Sequence, residues 1–218
     1  MELNLVDKLI LLALDDDKGT FAAQPMALTY GLAGAVILEL FLQERIKIVD
    51  KKVVIKNRTR IGDDLLDGFV KTIANSKRER TLMHWVQTFG NKVRDIKKQT
   101  LNKLITKGIL TKREEKFLWV FNNDKYPTSN VKPENTLRKR LYQIIENNQN
   151  PEVDELMLIS LIDTCKLNRV VYGKQREKNF RKNIKNAVKV AKNNTEIGAT
   201  IKEVNDIIQA MMVVIITT

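Results

Sequence analysis

Apolar residues recur at helical spacing along most of this chain, and the periodic segments are separated by glycine, proline and acidic turns. Leu5, Leu9 and Leu12 predict a first buried helix, which ends in an acidic turn before Gly19. The segment 25–42 is apolar nearly all round and rich in small residues, a pattern typical of a central helix. The chain therefore opens with two helices that contribute to a core.

The rest of the chain alternates between helical patterns and two short β-branched or aromatic segments. Further helices are predicted at 61–75, 79–90, 91–107, around Leu137 to Ile145, at 152–164, across Phe180 to Ala191, and at about 200–216. Ile46–Ile48 and Val53–Ile55 predict one hairpin, and Ile109–Thr111 and Phe117–Phe121, around a basic turn at 112–116, predict a second. We expect a mainly α fold: a single compact multi-helix domain, 1–218, with two short β-hairpins.

Composition narrows the class of partner. The 218 residues carry 38 Lys and Arg against 26 Asp and Glu, a formal charge of +12, so the sequence favours a polyanionic partner such as the phosphates of lipid or nucleic acid. The single cysteine, Cys165, provides neither a disulfide framework nor a cysteine-based metal site.

The N-terminus lacks the cationic region of a signal peptide, and the longest apolar runs are shorter than the ~20 residues of a spanning helix. We expect a cytoplasmic protein whose membrane contact is peripheral.

The charges are unevenly placed along the chain. Residues 1–45 carry seven acids against three bases, whereas 92–116 carry nine bases against three acids and 166–192 carry ten bases against one acid. Such asymmetry orients a protein on an anionic sheet, because each Lys or Arg within a Debye length contributes about 1 kcal/mol. The alternative interpretation is a lysine-rich surface that is simply solvated.

The helix predicted at 92–107 places two cations beside its apolar face. At 100° per residue, Arg94 and Lys97 fall inside the arc of apolar positions, whereas Lys98 and Lys103 fall outside it, where solvated lysines belong. Two cations one turn apart beside an apolar wall predict an anion pocket, since Arg can bind phosphate with two donors and Lys acts as a point charge. A helix end that overhangs the core remains the alternative.

The segment Phe117–Phe121 contains too many large apolar residues for a strand with one solvated face. A buried strand is one interpretation. A self-association surface or a membrane-dipping edge, with Trp119 at the interface, is the other.

Several stretches together resemble the Golgi phosphoprotein 3 family. The resemblance is carried by Leu9–Phe21, Tyr30–Leu40, Asp64–Asp67, Trp85–Val86, Arg94, Leu104–Leu110 and the hairpin that leads to Phe121. It implies a helical domain that sits on the cytosolic face of membranes and binds phosphatidylinositol 4-phosphate. It also implies that the second hairpin, with Phe117, Leu118 and Trp119, takes part in membrane insertion and oligomer contacts, and that the protein reads cytoplasmic tails of membrane proteins.

The same resemblance places the lipid site at four positions of this chain. A family tryptophan falls at Gln24, a family arginine at Ala33, and two family basic residues at Arg94 and Lys97. The second pair is basic here, and it is the pair that the helical wheel selects. Because the aromatic wall and one cation are replaced, we expect anionic binding without strict selectivity for one phosphoinositide.

Other functional classes have weaker support in the sequence. The helix 92–107, the turn at Gly108 and the following strands imitate a winged-helix unit, which keeps nucleic-acid binding as the alternative function. His84 has no Ser or Cys partner at a recognisable spacing, so no enzyme and no catalytic residue is predicted. The contiguous carboxylates at 15–17 lack the spacing of a calcium loop, so no metal or other cofactor is expected.

Overall fold

The computed structural model describes residues 2–15, 18–117, 121–147, 149–191 and 196–214. In chain order the elements are α1 (Leu5–Ala13), α2 (Pro25–Leu42), β1 (Ile46–Val49), β2 (Lys52–Ile55), α3 (Asp64–Ala74), β3 (Arg80–Thr81), α4 (Leu82–Gly90), α5 (Val93–Thr106), β4 (Arg113–Phe117), β5 (Phe121–Lys125), α6 (Lys132–Asn147), α7 (Val153–Thr164), α8 (Asn168–Tyr172), α9 (Lys174–Ala191) and α10 (Glu196–Val214). The predicted fold class, mainly α with short β-hairpins, is confirmed.

Helix α2 lies at the centre of the core, as its all-round apolar pattern predicts. It packs against α1, α4, α7 and α10. A Cβ atom at Gly34 would lie 2.5 Å from Cδ1 of Ile208, so the glycine permits the close approach of α2 and α10. By length and composition alone α2 could cross a membrane, with a mean hydropathy of 1.7, but 67% of it is buried inside the protein. An internal helix passes the same test, because it too is apolar on every side.

Helix α1 is fixed to α2 at its first turn. Asn4 caps the helix by accepting a hydrogen bond from the backbone N–H of Asp7, whose carboxylate accepts one from the backbone N–H of Asn4 in return. The buried carboxylate of Glu39 in α2 accepts a hydrogen bond of 2.9 Å from the backbone N–H of Leu5. The unpaired donors at the start of α1 are thereby satisfied inside the core.

The first hairpin forms where the β-branched pattern predicts it. β1 and β2 pair antiparallel with Ile46 opposite Ile55, and the short strand β3 adds to β2 with Lys52 opposite Thr81. The sequence analysis missed β3, because a two-residue strand has no detectable periodicity.

The second hairpin exists, but the predicted strands and turn were wrong. Arg113–Phe117 is a strand, not a turn, and it pairs with Phe121–Lys125 so that Phe117 lies opposite Phe121. A bridge between Leu110 and Thr128 continues the same register towards the base of the hairpin. The turn was predicted in place of a strand because the polar residues 113–116 show no apolar alternation, which is the pattern that indicates a strand.

The second half of the chain builds another layer on α7. Helix α7 packs against α1, α2, α9 and α10, and its residues from Met157 to Ile162 are buried. Helix α9 turns Phe180 and Ile184 inwards, where both are buried. The short helix α8, which the sequence analysis did not predict, also contacts α1 and α9.

Candidate functional site

Helix α5 presents one buried face and two edges of different chemistry. Ile96, Thr100, Leu101 and Leu104 are buried, and the helix packs against α1, α2 and α3. One edge carries Arg94 and Lys97, one turn apart, and the other carries Lys103.

Lys97 is half-buried and lies over an aromatic ring. Its Nζ atom is 4.7 Å from the centre of the Phe21 ring, within the range of a cation–π contact. Burial lowers the pKa of the Lys97 ammonium, because the charged form loses water. Among the described residues no carboxylate forms an ion pair with Lys97. The protein therefore holds a partly desolvated cation against an aromatic wall without an acidic partner.

The loop between α1 and α2 delivers Phe21 to this position. Phe21 forms an isolated β-bridge with Leu14, and the backbone N–H of Ala22 donates to the carbonyl of Ala13 at 2.9 Å. Gly19 turns the loop at φ +63°, and its carbonyl accepts a hydrogen bond from the backbone N–H of Tyr126. The base of the β4–β5 ribbon thus holds the loop that carries the ring.

Arg94 is exposed beside Lys97, at the first turn of α5. Among the described residues it forms no ion pair, and the exposed Lys92 and Lys98 flank it. Lys92 is the N-cap of α5, and its side chain does not cap the helix. No side chain at this position therefore competes with an anion for the backbone N–H groups of the first turn. The Arg94 guanidinium, the three ammonium groups of Lys92, Lys97 and Lys98 and a helix N-terminus together form a surface that attracts phosphate.

The structure separates the other two predicted lipid residues. Gln24 is exposed, as the N-cap of α2, and its side chain makes no capping bond. The first turns of α2 lie beside the α4–α5 junction, where a Cβ atom at Gly90 would lie 2.9 Å from the Tyr30 ring. Ala33, in contrast, is fully buried within α2, so its side chain is not available to a head group at the surface.

Lys103 does not occupy the solvated position that the helical wheel assigned to it. Its Nζ lies 2.6 Å from Oδ2 of Asp7 and 2.6 Å from Oδ2 of Asp63, and both carboxylates are buried. Burial alone would lower the pKa of Lys103, but its hydrogen bonds to Asp63 and Asp7 outweigh burial and raise it. Burial also raises the pKa of the Asp7 carboxyl, against the opposing effect of Lys103. The wheel failed because the two partners lie on α1 and before α3.

A cavity of about 410 Å³ opens beside this ion cluster. Asp7, Asp63, Thr100, Lys103 and Lys107 are among its lining residues, whereas Arg94 and Lys97 are not. The cavity therefore belongs to the edge of α5 where the cation is already neutralised by carboxylates.

The predicted hairpin contacts fall mostly beyond what the structure describes. Leu118 and Trp119 lie outside the described residues, and Phe117 is described only as the last residue of β4. Their contact with a membrane or a second copy stays a prediction. His84 is exposed, its ring contacts Trp85 edge-on at 5.2 Å, and its backbone N–H donates to Oγ1 of Thr81 at the start of α4.

Comparison with known proteins decides the family. A model of the Golgi phosphoprotein 3 (GPP34) family matches residues 5–211, nearly the whole chain. The chain belongs to the GPP34 family. The resemblance noted in the sequence is thereby confirmed.

A curated relative extends the comparison to a eukaryote. Vacuolar protein sorting-associated protein 74 of Schizosaccharomyces pombe is 22% identical over 191 residues, which cover 76% of this chain and 56% of the relative. The chain therefore spans little more than half the length of that relative. The four lipid positions that the resemblance implies for this GPP34 protein, Gln24, Ala33, Arg94 and Lys97, stay predictions.

Proposed function

We propose that this GPP34 protein is a non-enzymatic peripheral membrane protein that binds anionic phospholipid head groups through the basic edge of α5. Arg94 and Lys97 receive the phosphate, and Phe21 forms the wall beside them. By family likeness the head group is that of phosphatidylinositol 4-phosphate. The contact between Lys97 and Phe21 carries this proposal.

The placement of Lys97 is costly unless an anion arrives. Removing a cation from water is unfavourable, and proteins normally offset that cost by pairing the cation with a carboxylate. Lys103 is paired in this way with Asp7, whereas Lys97 is partly buried without such a pair among the described residues. Within the described ranges Lys97 has the ring of Phe21 in place of a carboxylate, and the ring offsets a small part of that cost. A phosphate that lies over Lys97 and Arg94 supplies the missing negative charge. A strained or desolvated group kept at a surface is a common mark of a binding site.

The two side chains divide the recognition of phosphate between them. Arg94 offers a planar fork that binds two phosphate oxygens, and Lys97 offers a point charge at fixed height above the ring. A phosphomonoester carries more charge than the diester of an ordinary phospholipid, so it gains more from both contacts. Gln24 can still donate a hydrogen bond but supplies no charge, which favours a broad preference for anionic head groups over strict selectivity.

The proposal also covers where the protein binds and which other molecules it contacts. Binding takes place on the cytosolic face of a membrane, without a spanning segment. By family likeness the residues at the end of the β4–β5 ribbon add membrane or oligomer contact, and cytoplasmic tails of membrane proteins are a second class of partner. Helix α5 packs its apolar face against α1, α2 and α3. Binding to duplex DNA, described below, tests the winged-helix alternative.

Sedimentation with vesicles tests the proposal. The variant Arg94→Ala/Lys97→Ala loses two cations, so we expect its affinity for phosphatidylcholine vesicles containing phosphatidylinositol 4-phosphate to fall about thirtyfold. Its melting temperature should not fall, because neither side chain neutralises a buried charge.

A matched control separates the site from overall charge. Lys77→Ala/Arg78→Ala also removes one Lys and one Arg, both exposed and before β3, and should bind within a fewfold of the unmodified protein. Equal binding by the α5 variant and the unmodified protein would rule the site out. Tight, salt-sensitive binding to duplex DNA without affinity for anionic vesicles would instead favour the nucleic-acid alternative.

A further inference from the structure

Helix α9 carries a second cationic surface that the α5 site does not use. Its exposed cations recur at intervals of three and four residues: Lys174, Lys178, Arg181, Lys182, Lys185 and Lys189. At 100° and 1.5 Å per residue they fall within an arc of about 100° and extend over about 22 Å. We call these six residues the α9 stripe.

The α9 stripe is almost free of acidic neighbours. Within the described part of the chain its one ion pair joins Arg181 to Glu177 at 3.9 Å, a long contact between mostly exposed groups. Phe180 and Ile184, on the opposite face of α9, are buried. The stripe therefore points away from the core and towards solvent, and its charges repel one another until an anionic surface covers them.

The α9 stripe and the α5 site belong to helices that are separated by core helices in the packing order. Helix α5 packs against α1 and α2, both of which pack against α7, and α7 packs against α9. Helix α9 itself is held by α6, α7, α8 and α10. In this packing order α1, α2 and α7 stand between the helix that carries Arg94 and Lys97 and the helix that carries the stripe.

The chemistry of the stripe favours a lipid bilayer over a protein or a nucleic acid. Protein interfaces rely on apolar and aromatic anchors and are depleted in Lys, whereas the large exposed apolar residues of the described chain lie outside α9. Base readout in the major groove relies on bidentate side chains, mainly Arg, Asn and Gln, whereas one of the six stripe residues is of that kind. Five of the six cations are lysines, mobile point charges that suit the fluid phosphates of a bilayer.

We infer that the α9 stripe docks onto a second anionic bilayer, so that one molecule bridges two membranes, one at the α5 site and one at α9. This inference rests on the proposed function, because bridging needs the α5 site to hold the first membrane. The stripe recognises charge density, and the α5 site recognises the head group.

Vesicle clustering tests the bridge with the full chain. Vesicles of phosphatidylcholine with phosphatidylserine and phosphatidylinositol 4-phosphate are mixed with protein, and particle size is followed by dynamic light scattering while sedimentation reports binding. Lys178→Gln/Lys182→Gln/Lys185→Gln keeps helix-forming side chains and removes three charges from the stripe. Because each lysine changes membrane partitioning about fivefold, clustering should require roughly a hundredfold more protein, while binding through α5 persists.

Two further variants make the outcomes distinguishable. Lys47→Gln/Lys52→Gln/Lys77→Gln removes the same charge from exposed positions around the small sheet and should cluster vesicles as the unmodified protein does. Unchanged clustering by the α9 variant, or an equal loss in this control, overturns the inference. Arg94→Ala/Lys97→Ala should also lose clustering. If the α5 variant binds and clusters vesicles normally, the proposed α5 site is ruled out. If the α5 variant binds more weakly, as expected, but the α9 variant still clusters vesicles, only the proposed bridge is ruled out.

Discussion

The two edges of α5 treat the same kind of side chain in opposite ways. Lys97 and Lys103 are both half-buried lysines of one helix. Lys103 contacts two buried carboxylates at 2.6 Å each, and the hydrogen bonds to them outweigh burial and raise its pKa. Lys97 contacts an aromatic ring, and burial lowers its pKa. A charged side chain on a helix does not by itself indicate function. It is more informative whether carboxylates of the same protein already neutralise that charge.

Each edge is matched to a different task. Lys103 joins α1, α5 and the segment before α3, and Asn4 donates a further hydrogen bond to Asp63 at 3.1 Å. Such a cluster fixes how the elements pack, and an incoming anion would have to compete with carboxylates already in place. Lys97 and Arg94 have no carboxylate partner among the described residues, so their charge stays available to a ligand.

The largest expected effect is on the Lys103 edge. Lys103→Met leaves the buried Asp7 and Asp63 without their cation, so the free energy of unfolding should fall by about 3–5 kcal/mol. Urea unfolding measures this loss. Lys98→Met, at an exposed position of the same helix, should change stability by less than about 0.5 kcal/mol.

Acid should partly rescue the Lys103→Met variant. Burial already raises the pKa of Asp7, and removing Lys103 takes away an interaction that lowers it. The native state then binds more protons than the unfolded state, so stability rises as pH falls through the raised native pKa towards the ordinary carboxyl pKa of 3.8. A loss of stability that is independent of pH would contradict the assignment of Lys103 as the counter-charge.

An intermediate effect is expected when Lys97 alone becomes apolar. Lys97→Met keeps the packing against Phe21 and removes a cation that burial disfavours, so the melting temperature should stay equal or rise. Affinity for anionic vesicles should fall about fivefold, the contribution of one lysine at a membrane surface. A lower melting temperature with unchanged vesicle binding would make Lys97 structural, like Lys103.

The smallest expected effect is at Phe21. Phe21→Leu fills similar space but removes the face of the ring, which contributes about 0.5–1 kcal/mol to holding a cation. Vesicle affinity should fall about two- to fivefold, with Phe21→Tyr close to the unmodified protein because it keeps a ring. If Leu and Tyr bind equally well, the ring does not position Lys97.

Local sequence predicts this molecule well wherever the controlling contacts are local. The apolar pattern of 25–42 predicts the central helix, and the wheel for α5 places Arg94 and Lys97 beside its apolar face. The wheel fails for Lys103, because the carboxylate that pairs with it belongs to Asp7 on α1. In the sequence Asp7 resembles an ordinary acid in the first turn of a helix.

The position of the aromatic ring beside Lys97 also could not be predicted from local sequence pattern. Phe21 reaches Lys97 through a loop closed by the bridge from Leu14, a contact between distant segments that no periodicity encodes. The family alignment looked for the wall at Gln24 and so missed a ring three residues earlier. The only available signal was an aromatic residue directly after the Gly19 turn. The misplaced second hairpin has a similar cause, since its polar strands lack the alternation on which strand prediction depends.

Titration with the soluble head group inositol 1,4-bisphosphate, followed by NMR of the labelled full chain, tests the central claim most directly. The account predicts that the largest chemical-shift changes fall on Phe21, Arg94 and Lys97, with Lys103 and its cavity unchanged, and that Arg94→Ala/Lys97→Ala abolishes them. Shifts centred on Lys103, Asp7 and Asp63, and unaffected in that variant, would contradict it.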